Sequence, residues 1–84
     1  MLEIDYDAPE PPYRQVAAWL RARIESGELG PDKKIPSEQD ILEETGIART
    51  TARRAIQLLR SEGLIYTVGG RGSYVRGPGS GRPV

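Results

Sequence analysis

Between positions 13 and 24 apolar residues return every three or four places, at Tyr13, Val16, Ala17, Leu20 and Ile24, with Arg14, Arg21 and Glu25 set between or just beyond them. That spacing predicts an amphipathic helix with one buried stripe. It should start just after Pro12, since proline is tolerated in a first turn, and end near Gly27. Trp19 falls about a hundred degrees from Leu20 around such a helix and reads as a half-buried flank residue.

A turn at Gly30 and Pro31 follows, then a short extended piece over residues 33–36, because Pro36 turns Ile35 away from helix. Ser37 is a good N-cap for a second helix. Glu38, Gln39 and Asp40 place acidic and polar groups at its positive end, and Gln39 or Asp40 is suited to complete a reciprocal cap. Ile41, Leu42 and Ile47 supply the buried side, and Gly46 suits the left-handed residue that ends a helix. Only Ile47 and Ala48 separate it from a third helix, over 49–62. There Ala52, Ala55, Ile56 and Leu59 share one face, and Thr50, Arg53, Arg54, Gln57 and Ser61 share the other. Gly63 caps this helix, with Leu64 placed for the contact that follows such a cap. Two β-prone runs, 64–68 and 73–76, flank a Gly-rich turn at 69–72 and predict a hairpin.

The ends lack such patterning. Residues 1–12 combine prolines with Glu3, Asp5, Asp7 and Glu10 and read as a flexible acidic arm; 78–84 have the composition of a flexible tail. One domain over 13–77 remains, as expected for a chain of 84 residues. Its absences narrow the chemistry. Without cysteine or histidine, disulfides, most zinc sites and the commonest general base are excluded. We find no nucleophile and base at a workable spacing, so neither an enzyme nor a metal or cofactor is expected. No apolar run is long enough to span a bilayer, and the acidic start is unlike a signal peptide, so a cytoplasmic location is expected.

Charge changes the picture more than composition does. The chain is formally neutral. Up to Ala48 it holds five basic groups against eleven acidic ones, a net of six negative charges. From Arg49 onward it holds seven arginines against Glu62 alone, a net of six positive charges. Such asymmetry points to nucleic acid. Two helices joined by a Gly-containing turn, the second with a basic face, form a helix-turn-helix. A helix fits the DNA major groove, where arginine grips guanine edges or phosphates and short Thr side chains reach phosphate oxygens. Glycines at the hairpin tip allow close approach to the backbone, with Arg71 suited to the minor groove. A rival reading has the basic face docking an acidic protein partner. The charge split fits that equally well, and the Arg49, Thr50, Thr51 opening of the third helix favours DNA. The acidic arm suggests a smaller idea, that it folds over the arginine face in place of phosphates.

Residues 13–76 also resemble the N-terminal DNA-binding domain of the GntR family of bacterial transcription regulators. The matching stretches are Y-R-Q-V-A at 13–17, I-x-S-G-E-L at 24–29, I-P-S-E at 35–38 and G-I-A-R-T-T-A-R-R-A-I at 46–56. They continue with L-x-x-E-G-L-I at 59–65 and G-R-G-S-Y-V at 70–75. The resemblance implies a winged helix-turn-helix, mainly α with a small β-hairpin, that binds palindromic operator DNA as a two-fold dimer and most often represses. It carries base and phosphate contacts onto Arg49, Thr50 and Thr51, the next motif arginine onto Arg53, and the wing-tip glycine onto Gly70. The expected DNA-contacting set is therefore Ser37, Gln39, Arg49, Thr50, Thr51, Arg53, Arg54, Gly70 and Arg71. Two positions depart from the family pattern: Gln39 stands where many relatives have arginine, and Ala48 where many have Ser or Thr, a cap worth about 1 kcal/mol. Relatives usually add a C-terminal ligand-binding and dimerisation domain; none is expected in this chain, so dimerisation would come from DNA or a partner.

Overall fold

The computed structural model describes residues 2–77, so the tail expected at 78–84 lies outside the described residues. Five elements follow one another: α1 (Pro12–Glu25), α2 (Glu38–Thr45), α3 (Arg49–Ser61), β1 (Ile65–Val68) and β2 (Gly72–Val75). The strands pair antiparallel, with Ile65 opposite Val75 and Val68 opposite Gly72. Three helices and this hairpin make a winged helix-turn-helix.

Each helix begins for a different local reason. Pro11 and Pro12 open α1, which has no side-chain cap; a proline at the first position gives up only an amide that would be unpaired there anyway. Ser37 and Asp40 close a reciprocal box on α2. The Asp40 amide donates to Ser37 Oγ at 3.1 Å, and the Ser37 amide donates to Asp40 Oδ2 at 2.9 Å. The helix ends at Gly46, whose φ of 75° lies in the left-handed region that a side chain disfavours. That single residue turns the chain sharply enough for α3 to start three positions later. Ala48 precedes α3 and offers no side-chain cap.

One aliphatic core holds the domain together. Val16, Ala17 and Leu20 of α1 meet Ile41 of α2, Ala52, Ala55, Ile56 and Leu59 of α3, and Ile65 and Val75 of the hairpin, with Ile35 and Ile47 from the connections. Leu20, Ile41, Leu59 and Ile65 are fully buried, each contributing about 1.5–3 kcal/mol by removal from water. The small Ala52 and Ala55 let α3 lie close against its neighbours. Outside the core, Glu62 ties the end of α3 to α1: Arg21 donates through Nε to Oε1 at 3.1 Å and through Nη2 to both carboxylate oxygens at 2.8 Å. Trp19 is half-buried, as its position on the helix predicts, with the Arg23 guanidinium 5.2 Å from its ring centroid.

The wing has a third edge. The Asp32 amide donates to Val75 O, the Val75 amide to Lys33 O and the Ile35 amide to Ser73 O, all within 2.8–2.9 Å. The short piece at 32–35 therefore lies antiparallel along β2, anchoring the hairpin to the helical body. At the wing's base Tyr66 stacks on Tyr74 and donates its hydroxyl to Asp32 Oδ1 at 2.6 Å. That bond to a carboxylate pushes the Tyr66 phenol up from its usual pKa.

The N-terminal arm is held by one residue that the hydrophobic pattern did not single out. Gln15 accepts from the Asp5 amide at 2.9 Å and donates to Asp5 O at 2.7 Å and to Glu10 O at 2.8 Å. Leu2 and Ile4 pack against the core. Among the described residues no helix is long and apolar enough to cross a membrane.

Candidate nucleic-acid interface

On α3 the side chains of Arg49, Thr50, Arg53 and Arg54 are all exposed, while Thr51 is half-buried. Arg49 and Arg53 are one helical turn apart and lie on the same side. Neither hangs free. Arg53 donates through Nε to Glu38 Oε2 at 3.2 Å and through Nη2 to Glu38 Oε1 at 3.3 Å. Arg49 places Nη1 3.6 Å from Glu38 Oε1 and donates to Gln39 Oε1. Gln39 in turn donates to Glu43 Oε2 at 3.0 Å. The first turn of α2 thus buttresses two arginines of α3, fixing rotamers that would otherwise be lost at an entropic cost on binding.

Glu38 was absent from the contacts expected from sequence. Its carboxyl is held below the usual range, chiefly by the hydrogen bond from Arg53 and further by Arg49. It stands fifteen positions before Arg53, too far for any local pattern to pair them; only the turn at Gly46 does so. Gln39 has a role that an arginine there could not take, because arginine has no acceptor to offer Arg49.

Arg54 goes elsewhere. Its guanidinium lies 4.1 Å from the ring centroid of Tyr13 on α1, a close cation–π contact. The structure therefore does not bring Arg54 together with Arg49 and Arg53. Among the described residues no ion pair joins the acidic arm to Arg49, Arg53 or Arg54; Gln15 is what secures it.

Ser37, Glu38, Gln39, Arg49, Thr67 and Ser73 line a cleft of about 390 Å³ between the start of α2, the face of α3 and the wing. Ser37 Oγ accepts from the Asp40 amide, and its hydroxyl also bonds the Asp40 carboxyl, so the cap holds the side chain at the mouth of the cleft. Gly70 and Arg71 sit in the exposed turn that joins β1 to β2, with Gly70 at φ 76°. Gly72 combines φ 125° with close packing: a Cβ there would come within 2.7 Å of Lys34 Cε. A larger hollow of about 630 Å³ mixes both signs of charge, with Asp40, Glu43 and Glu44 beside Arg23 and Lys34. Among the described residues no three His, Cys, Asp or Glu side chains gather as metal ligands.

Comparison with known proteins places this geometry. The family model of bacterial regulatory proteins, gntR family, matches residues 12–75. The chain is 42% identical over 77 residues to the HTH-type transcriptional repressor NagR of Bacillus subtilis, covering 92% of this chain and 32% of NagR. It is 37% identical over 68 residues to the arabinose metabolism transcriptional repressor of Geobacillus stearothermophilus, covering 81% and 19% respectively. It thus spans about a third or less of the length of these curated relatives. Among solved structures, the AraR DNA-binding domain in complex with operator ORX1 has a TM-score of 0.79 at 38% identity, covering 88% of this chain and 95% of that one. YtrA from Sulfolobus acidocaldarius, a GntR-family transcription factor, has a TM-score of 0.80 at 32% identity, covering 89% and 79%.

Proposed function

Because this chain belongs to the GntR family of bacterial regulatory proteins, we propose that it is the sequence-reading module of a transcriptional repressor. The observation that carries this reading is the paired presentation of Arg49 and Arg53 beside the wing, on a fold shared with a domain solved on operator DNA. In this reading α3 enters the major groove with its first turns against base edges. Arg49 and Arg53 keep their outward N–H groups for guanine or phosphate while Glu38 and Gln39 hold them from behind. Thr50, Thr51, Ser37 and Gln39 contact the bordering phosphates, and Gly70 and Arg71 bring the wing to the backbone or minor groove. Arg54 has a supporting part, fixed on Tyr13 and close enough to add positive potential.

Two copies on a palindromic operator in the cytoplasm complete the proposal, since small domains gain affinity and half-site spacing by pairing on DNA. The test is selection of bound duplexes from a random pool, followed by titration of the winner at several salt concentrations. A palindromic winner whose affinity falls steeply with salt is expected. A pool that never enriches, together with binding indifferent to salt, would sink the reading and leave the acidic-protein partner in its place.

A further inference from the structure

The arginine stripe of α3 continues past Arg53. Positions 49, 53, 56 and 60 are spaced by four, three and four residues, so they stack along one side of the helix. Ile56 turns into the core, whereas Arg60 is exposed. At about 1.5 Å per residue, Arg60 projects from the same side as Arg49 but roughly 16 Å further along the axis. There it lines the cleft between α3 and the wing, together with Thr67 and Ser73. Those two residues are register partners on β1 and β2, and their hydroxyl oxygens are 2.9 Å apart.

Two features set this end of the cleft apart. Arg21 and Arg23 are paired with Glu62 and Glu28, Arg49 and Arg53 with Glu38, and Arg14 and Arg54 lie against Tyr13. Among the described residues the Arg60 guanidinium has no such partner. The hydroxyl pair uses one hydrogen between its members, which leaves the other hydroxyl hydrogen free to donate. An unpaired guanidinium and a free hydroxyl donor in one cleft make a site rich in N–H and O–H groups. The one carboxylate lining the cleft, Glu38, is already engaged by Arg49 and Arg53.

We propose that Arg60, with Thr67 and Ser73, binds a backbone phosphate of the duplex in the cleft between the recognition helix and the wing. Distance selects phosphate over base. The major groove is about 12 Å wide, so when Arg49 meets base edges a side chain roughly 16 Å along the helix meets the groove wall. The site clamps one strand between helix and wing. This inference rests on the DNA-binding reading above.

The test uses Arg60→Gln, Arg60→Lys, the double variant Thr67→Val with Ser73→Ala, and Arg49→Ala. Each is titrated with a duplex recovered from the random pool and with an unrelated duplex of equal length. Arg60→Gln should weaken both duplexes by the same factor, about tenfold near 0.1 M salt, and lower the salt slope by about one. Arg60→Lys should keep the slope. The double variant should lose a few-fold with the slope intact. Circular dichroism melts should match wild type, because Arg60 is exposed. If Arg60→Gln binds like wild type while Arg49→Ala fails, the phosphate site is overturned and the DNA reading stands. A loss confined to the selected duplex also overturns it, by making Arg60 a base reader. If neither arginine matters, the DNA reading itself fails.

Discussion

The second and third helices start eleven residues apart, and their first turns are built in opposite ways. The start of α2 is closed. Ser37 and Asp40 satisfy each other's backbone amides, and Glu38 and Asp40 lie at the positive end of the helix dipole. The start of α3 is open. It has no side-chain cap and no acid in its first turn, and it puts Arg49 where a cation is least welcome. By itself this opening is a poor one, and its deficit is met from outside by Glu38 and Gln39 of α2. A helix whose own end groups are left wanting is ready for phosphate oxygens, which supply the same charge that Glu38 supplies in the free protein. Local inconsistency of this kind marks a working surface.

Arg49 is where the two helix starts differ most. Arg49→Ala should weaken binding to the selected operator by about 1–3 kcal/mol, read as a rise in Kd of about five- to 150-fold. Its folding stability should hardly move or should rise slightly, because a cation leaves the positive end of α3. A melting temperature that drops while Kd stays put would make the opening of α3 structural.

Ser37→Ala should do the reverse, costing about 1 kcal/mol in urea unfolding through the lost cap. Acid sharpens this point. The Asp40 carboxyl is held below its usual range, first by the amide of Ser37 and then by the Ser37 hydroxyl. A carboxylate with a depressed folded pKa gives stability that is present above the unfolded value, about 3.9, and is lost as pH falls through the lower folded one. Asp40→Asn should therefore flatten the fall in melting temperature below about pH 4. An equally steep fall would show that other carboxyls control it.

Ala48→Ser makes the second opening resemble the first. It should add up to about 1 kcal/mol of stability in the same unfolding experiment, with operator binding kept. No gain would mean that the α3 amides are already satisfied. Glu38→Gln is the subtlest change. The pairs are partly exposed, so stability should shift by no more than about 0.5 kcal/mol. Binding to unrelated duplex should tighten, however, because the arginines lose their internal counter-charge; equal affinity for wild type and variant would remove Glu38 from the interface.

How far the chain could be read in advance follows from the range of each interaction. The stripe of Val16, Ala17 and Leu20, the Ser37 box, the left-handed Gly46 and the uncapped Ala48 are matters of neighbours within four residues. A repeat of 3.6 and a cap have local causes, and sequence spacing reports them. The hairpin around 69–72 was legible for the same reason. The third wing edge at 32–35 was visible only as an extended piece, since its partner strand lies some forty residues on.

The interface divides the same way. That α3 carries arginines on the face away from the core was determined by the sequence itself, because the helical period assigns every side chain an angle. Which arginines act together was decided by the tertiary structure. Arg53 meets Glu38 across fifteen residues and Arg54 meets Tyr13 across forty-one, so two adjacent cations on one helix have different partners. Arg60 shares a cleft with Thr67 and Ser73 for the same reason, since that cleft exists only once β1 and β2 fold beside α3. Periodicity fixes direction along one element; what stands in that direction depends on how the elements pack.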